Sequence, residues 1–273
     1  MIPERDFKLS RKRKSRRELH ISPAQALKMF TACDLFKILL AVKTFALDLF
    51  FPISCAGCGH AKTHCCKNCL DKIPILEIQK CHSCCAASQN GTFCGEKCRR
   101  NFSFDGIISS AAFKENSVLA KLIHRFKYDF AQEICGDLVK ILLRSGCLKK
   151  LEGYGKNACI VPVPLHKKRL NFRGFNQSEV LAEEIFKNTG IKIENLLTRI
   201  KNTEPQAQLK KIKRLTNVKN AFEIKPSAKI NPEKIYLLLD DVCTTGSTIN
   251  ECAKILKKYG AKTVIGLTVA KAV

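Results

Sequence analysis

Two constellations in this chain have the residue types and spacing for chemistry. The first is the run Leu237-Leu238-Leu239-Asp240-Asp241-Val242-Cys243-Thr244-Thr245-Gly246-Ser247-Thr248. An apolar strand delivers two adjacent carboxylates at its C-terminal end, and a turn of hydroxyls and one glycine then opens a helix. Backbone N–H groups at a helix start, the helix dipole and the hydroxyls of Thr244, Thr245, Ser247 and Thr248 together favour a phosphate, and Gly246 lets the backbone approach it closely. Asp240 and Asp241 would repel that phosphate, so they suit vicinal ribose hydroxyls or a hydrated Mg2+. Two strand-end aspartates alone would also suit a structural N-cap cluster; the Thr-Thr-Gly-Ser-Thr that follows favours the cradle.

The second constellation is cysteine. Of 16 cysteines, ten fall between residues 55 and 98. Eight of them form the pairs Cys55-x2-Cys58, Cys66-x2-Cys69, Cys81-x2-Cys84 and Cys94-x3-Cys98. A C-x-x-C turn sets two thiolates on one side of a tight loop, and two such turns complete a tetrahedral S4 site. Eight ligands therefore suit two closed, structural Zn2+ ions. Pairing 55/58 with 66/69 and 81/84 with 94/98 closes short loops, and the spacing does not exclude a cross-braced pairing. Cys65 and Cys85 could replace Cys66 and Cys84, and His60, His64 and His82 are further candidate ligands. Metal-type cysteine spacing points to a reducing, cytoplasmic compartment rather than to disulfides. The remaining cysteines, at 33, 135, 147, 159, 243 and 252, sit mostly in apolar runs and read as core filler.

The rest of the chain must position these groups. The 273 residues carry 48 Lys and Arg against 24 Asp and Glu, a formal charge of +24, and 45% are apolar. That composition excludes a wholly disordered chain and makes polyanions the natural partners. Residues 1–22 form a basic arm with too little apolar content to fold alone. Residues 23–51 read as a docking helix, opened by Ser22-Pro23 and ended by Pro52. Its apolar stretch resembles a membrane span, but Asp34, Lys37, Lys43 and Asp48 interrupt it, so no span is expected. The start also lacks the apolar core of a signal peptide. Residues 52–100 are too short and too poor in periodic hydrophobics to fold without a metal staple. Residues 101–273 read as α/β: a strand pair around an Asp105-Gly106 turn, helices over 117–126, 133–143, 178–188 and 247–259, and strands over 158–163, 235–239 and 263–269. Strands alternating with helices imply a mostly parallel sheet flanked by helices.

The Asp240 to Thr248 segment resembles the binding motif for phosphoribosyl pyrophosphate (PRPP) of the type I phosphoribosyltransferases. The resemblance narrows with Val161-Pro-Val-Pro-Leu-His166, Arg169, Arg173-Gly-Phe-Asn-Gln177, and then Thr203, Gln206, Leu209, Arg214, Asn217-Val218 and Ala221-Phe222. Together with the preceding cysteine pairs and Leu47-Asp-Leu-Phe-Phe-Pro52, these resemble the ComF family over roughly residues 45–273. The departures are the first 44 residues, the x3 spacing at Cys94/Cys98, and Cys243 where an aliphatic residue is common. The resemblance implies a small N-terminal zinc module on a phosphoribosyltransferase-like α/β domain. It implies a pyrophosphate loop at Pro164 to His166 assisted by Arg169 and Arg173, a hood over 199–214 that includes Arg214, and Lys127 as a ligand contact. It further implies PRPP binding with Mg2+, and contact with single-stranded DNA or a helicase or other competence partner in DNA uptake. An active phosphoribosyltransferase that displaces pyrophosphate with Mg2+ is the alternative, and a zinc-dependent nucleic-acid binder using the fold as a scaffold is a third reading.

Overall fold

The strands of the centre are apolar on both faces, which is what burial between two helical layers demands. In β6, Ile235–Cys243, Leu237 and Leu239 pack into one core while Tyr236 and Leu238 pack into the other. In β2, Ala158–Pro162, Ile160 faces the first core and Cys159 and Val161 the second. The computed structural model describes residues 52–128, 132–152, 157–203 and 218–272. The expected arm, the docking helix and the hood positions Gln206 and Arg214 lie outside the described residues.

Five parallel strands form the sheet in the order β1-β7-β6-β2-β3, with β1 at Gly106–Phe113, β3 at Lys192–Ile193 and β7 at Thr263–Ala272. Helices α3 (Val118–Tyr128), α4 (Ile134–Arg144), α5 (Cys147–Glu152) and α7 (Gln177–Thr189) serve the first core. Helix α8, Ser247–Lys258, and the two-stranded antiparallel ribbon of β4 (Leu197–Arg199) and β5 (Phe222–Ile224) cover the second. A short helix α6, Lys167–Arg173, follows β2. The expected α/β fold class and its mostly parallel sheet are therefore what the structure has. Among the described residues no helix is long and apolar enough to cross a membrane.

The strand pair expected around Asp105-Gly106 is instead the single strand β1. Asp105 is an anchor, not a turn: its carboxylate accepts from Val264 N at 2.8 Å and pairs with Lys257 at 2.7 Å and Arg99 at 2.5 Å.

The cysteine segment, which carries the short helices α1 (Lys67–Asp71) and α2 (Glu96–Arg99), belongs to the same compact unit, Ile53–Val273. It runs along the outer edge of β1. Ile75 bridges Ala111, Thr92 bridges Gly106, and Leu76 N donates to Ser110 O at 2.8 Å. The buried Gln79 amide clamps Ser109, donating to its carbonyl at 2.9 Å and accepting from its N–H at 3.0 Å. An edge strand that would otherwise expose its ladder is thereby closed.

Candidate functional site

A cleft of about 910 Å3 opens at the carboxyl ends of the strands, where ligands of open parallel sheets bind. Phe113 of β1, Ala272 of β7, Val163 and Leu165 after β2, and the aspartates of β6 form its floor and walls. Strand β6 runs through the carboxylates, so both are fixed by the ladder: Asp240 stands opposite Thr268 of β7. Asp241 is buried and ion-paired to Lys127 of α3 at 2.8 Å. Asp240 accepts the Asp241 N–H at 2.9 Å. Burial and the neighbouring Asp241 charge push the Asp240 carboxyl up to about 7, against the opposing pull of Lys127. A carboxylate held this far from its ordinary value is one that gains from a cation or a donor entering the cleft.

After β6 the chain turns directly into α8. Thr244 and Thr248 line the cleft, and an adjoining hollow is lined by Thr244, Gly246, Ser247 and Thr248. Gly246 is the N-cap of α8 with φ of 71°, a left-handed conformation that glycine adopts without strain. Thr245 and Ser247 hydroxyls stand 2.9 Å apart.

Three arginines line the same cleft: Arg169 and Arg173 of α6 and Arg199 at the end of β4. Arg199 is 9% exposed, donates to Thr203 Oγ1 at 2.5 Å, stacks on Phe222 at 5.2 Å, and leaves its buried Nε without a hydrogen-bond partner. Burial holds its pKa below the ordinary arginine value. Burial, Arg199 and Arg173 bring Arg169 down to about 10, and its guanidinium donates to Thr203 O. Three mutually repelling guanidinium groups in a half-buried cleft form a site that an anion would relieve.

The two halves of the Arg173-Gly-Phe-Asn-Gln177 run differ in role. Asn176 is architectural: it caps α7 through Ser178 N at 3.1 Å and donates to Val163 O at 3.2 Å. Gln177 lines the cleft, accepts from Arg173 at 3.0 Å, and has a buried, unpartnered amide nitrogen. Arg173 also lies over the Tyr128 ring at 5.0 Å. His166 caps α6 by accepting from Lys168 N at 3.3 Å and does not line the cleft. Arg199 and Gln177 were not singled out as site residues from sequence. Their signal there is slight, because Arg199 is one basic residue among many in a charged stretch.

The cysteines gather in sequential, not cross-braced, sets. Cys55, Cys58, Cys66 and Cys69 have sulfurs within 4.8 Å of one another, as do Cys81, Cys84 and Cys94. Cys98, the expected fourth member, stands outside the second set, although contacts with Cys84 raise its pKa. Cys65, Cys85, His60, His64 and His82 belong to neither set. The fit to a tetrahedral ion is direct. Zn–S bonds of about 2.3 Å imply sulfurs about 3.8 Å apart, and Cys58–Cys66 and Cys84–Cys94 lie at 3.6 Å and 3.7 Å. Against the upward push of burial, backbone N–H groups of Cys58, Cys66 and Gly57 bring the Cys55 thiol down to about 5. Those of Cys84, Cys94 and Ser83 bring Cys81 to about 6 against the same push. The cysteine clusters can therefore hold a metal ion.

No family model matches the chain. Among characterised proteins it is 32% identical over 219 residues to competence protein F of Haemophilus influenzae, covering 79% of this chain and 94% of that protein. It is 34% identical over 149 residues to the DNA utilization protein YhgH of Salmonella typhi, covering 54% and 64%. It is 34% identical over 160 residues to competence protein ComFC of Streptococcus pneumoniae, covering 58% and 66%. Among solved structures, a hypoxanthine phosphoribosyltransferase from Staphylococcus aureus matches 58% of this chain and 73% of its own at 17% identity and a TM-score of 0.30. With the likeness to competence protein F spanning nearly the whole of that relative, the chain belongs to the ComF family.

Proposed function

We propose that this protein acts in DNA uptake, as the names of its relatives suggest, by binding PRPP with Mg2+ in the strand-end cleft and single-stranded DNA on its basic surface. The observation that carries the reading is the cleft itself, in which a phosphate-type turn, the half-buried Asp240, the buried Asp241 and three arginines meet. In this reading the turn from Thr244 to Thr248, with Thr245, Gly246 and Ser247 between them, holds the 5′-phosphate. Asp240 and Asp241 take the ribose hydroxyls or hydrated Mg2+. Arg169, Arg173 and Arg199 receive the pyrophosphate through charge-assisted bonds. The Lys127–Asp241 pair is then a stand-in contact that opens when ligand enters. Mg2+ supplies charge neutralisation of the pyrophosphate when bound. The metal ligands are Cys55, Cys58, Cys66 and Cys69 in one centre and Cys81, Cys84 and Cys94 in the other, where Cys98, outside the gathered set but in contact with Cys84, closes in as the fourth ligand; both ions are Zn2+ and both structural. The DNA surface is favoured by α6, where exposed Lys167 and Lys168 flank a Phe172 that is 68% exposed and free to stack on a base.

Thermal-shift titration with PRPP and Mg2+, set against ribose 5-phosphate and pyrophosphate separately, tests the reading. PRPP should stabilise more than either fragment. Equal shifts from PRPP and ribose 5-phosphate would remove the arginines from the site. Pyrophosphate release in the presence of nucleobases or single-stranded DNA would instead favour an active transferase.

A further inference from the structure

The second cysteine set and the cradle share a residue that neither function assigns. His82 lies between Cys81 and Cys84, yet its Nε2 is 3.1 Å from Thr245 O, the carbonyl just before the N-cap of α8. A carbonyl only accepts, so Nε2 carries the proton and donates. The Nε2 edge of the ring also presses on Gly246: a Cβ added there would sit 2.7 Å from His82 Nε2. Phe102 and Phe104 meet the imidazole edge-on at 5.2 Å and 5.6 Å, and Phe93, next to Cys94, stacks on both phenylalanines at 5.2 Å and 5.4 Å. Both halves of the cysteine set thus feed one aromatic cluster whose polar tip holds the cradle. A second tie joins the same surfaces, Ser103 N donating to Asn250 Oδ1 in the first turn of α8 at 2.7 Å.

We infer that the Cys81/Cys84/Cys94 centre and the phosphate cradle are one mechanical unit, with His82 as the positioning residue through which metal occupancy sets the order of residues 244–248 and hence their hold on a phosphate ester. The inference rests on the cradle reading above. The donor set fits a metal, and losing that metal releases the thiolates that close the turn carrying His82, which loosens that turn against the aromatic cluster. A cradle must hold its amides in place before the anion arrives, so a loosened Thr245 carbonyl lowers affinity without removing any ligand contact.

The experiment uses the full metal-loaded chain, His82→Gln, which keeps an amide N–H at the ε position, and His82→Leu, which fills the space without a donor. Hydrogen exchange of the peptide covering 240–250 reads the cradle's order, calorimetry with ribose 5-phosphate reads its affinity, and elemental analysis reads the metal. His82→Leu should exchange faster and bind ribose 5-phosphate roughly five- to tenfold more weakly, the size of one net hydrogen bond, with metal content unchanged. His82→Gln should restore both readings to within about twofold to threefold of wild type. Chelating the wild-type metal should speed exchange as His82→Leu does, and should add little to that variant. Unchanged exchange in His82→Leu, or equal loss in both variants, overturns the link. Exchange that responds as expected while ribose 5-phosphate fails to bind the wild type leaves the link standing and removes the phosphate reading.

Discussion

Asp240 is the residue on which pH should act. Its carboxyl titrates near about 7 when folded, raised from an ordinary carboxylate by burial and by Asp241. The folded state therefore holds a proton that the unfolded chain gives up near pH 4, and between about pH 4 and about pH 7 stability falls as pH rises. Above about pH 7 the full cost of the buried charge is present. Asp240→Asn should accordingly be more stable than wild type at about pH 8, with the gap shrinking towards about pH 5, as urea denaturation at both values would read. A gap that widens on acidification would place the raised carboxyl elsewhere. The same sign makes wild-type PRPP affinity in Mg2+ rise through about pH 7, because the ionised carboxylate is the form that meets the ligand. Sequence located Asp240 and the hydroxyl turn, since a strand followed by that turn is a local pattern. It did not separate Gln177 from Asn176 or lift Arg199 from its neighbours, because their roles depend on burial created by distant elements.

At the level of elements, the long periodic segments were readable and the edge of the sheet was not. Helix α8 begins at Ser247 as expected, and β6 runs four residues past its apolar stretch to Cys243 because the β7 ladder continues beside it. Strand β1 hides its polar centre. Ser109 and Ser110 interrupt the apolar run, yet Ser109 is fully buried, its hydroxyl 2.7 Å from Thr268 Oγ1 and its backbone held by Gln79. A partner thirty residues upstream leaves no mark in local spacing. Gln79→Ala should orphan the buried Ser109 N–H and leave its carbonyl only the weak Cys147 thiol donor at 3.5 Å, and cost about 1–3 kcal/mol, measured by chemical denaturation. A loss below about 1 kcal/mol would mean that the cysteine segment merely rests on β1. The same segment is tied by Arg144 of α4, which donates to Leu70 O at 2.6 Å, and by Arg125 of α3, which donates to Ser54 O at 2.5 Å. The metal-binding part is thus built into the α/β body, where composition alone suggested a separate staple.

Over the whole molecule the excess of 48 basic over 24 acidic residues sets the long-range field. Single-stranded DNA should bind with little base preference and a log–log salt slope near about −4, for about six phosphates at ~0.7 each. Phe172→Ala should weaken binding by about 1–3 kcal/mol without changing that slope, since stacking is not screened as charge is. Anisotropy on a labelled oligonucleotide across a salt series reads both quantities, and a slope near zero would leave the charge to solubility and to PRPP alone. The cleft remains the centre of the account, and calorimetric titration of PRPP in Mg2+ against wild type and the Asp240→Ala, Asp241→Ala double variant tests it most directly. Saturable binding by wild type, lost in a double variant that keeps its circular dichroism and metal content, is the result the account predicts; equal affinity in the two proteins would contradict it.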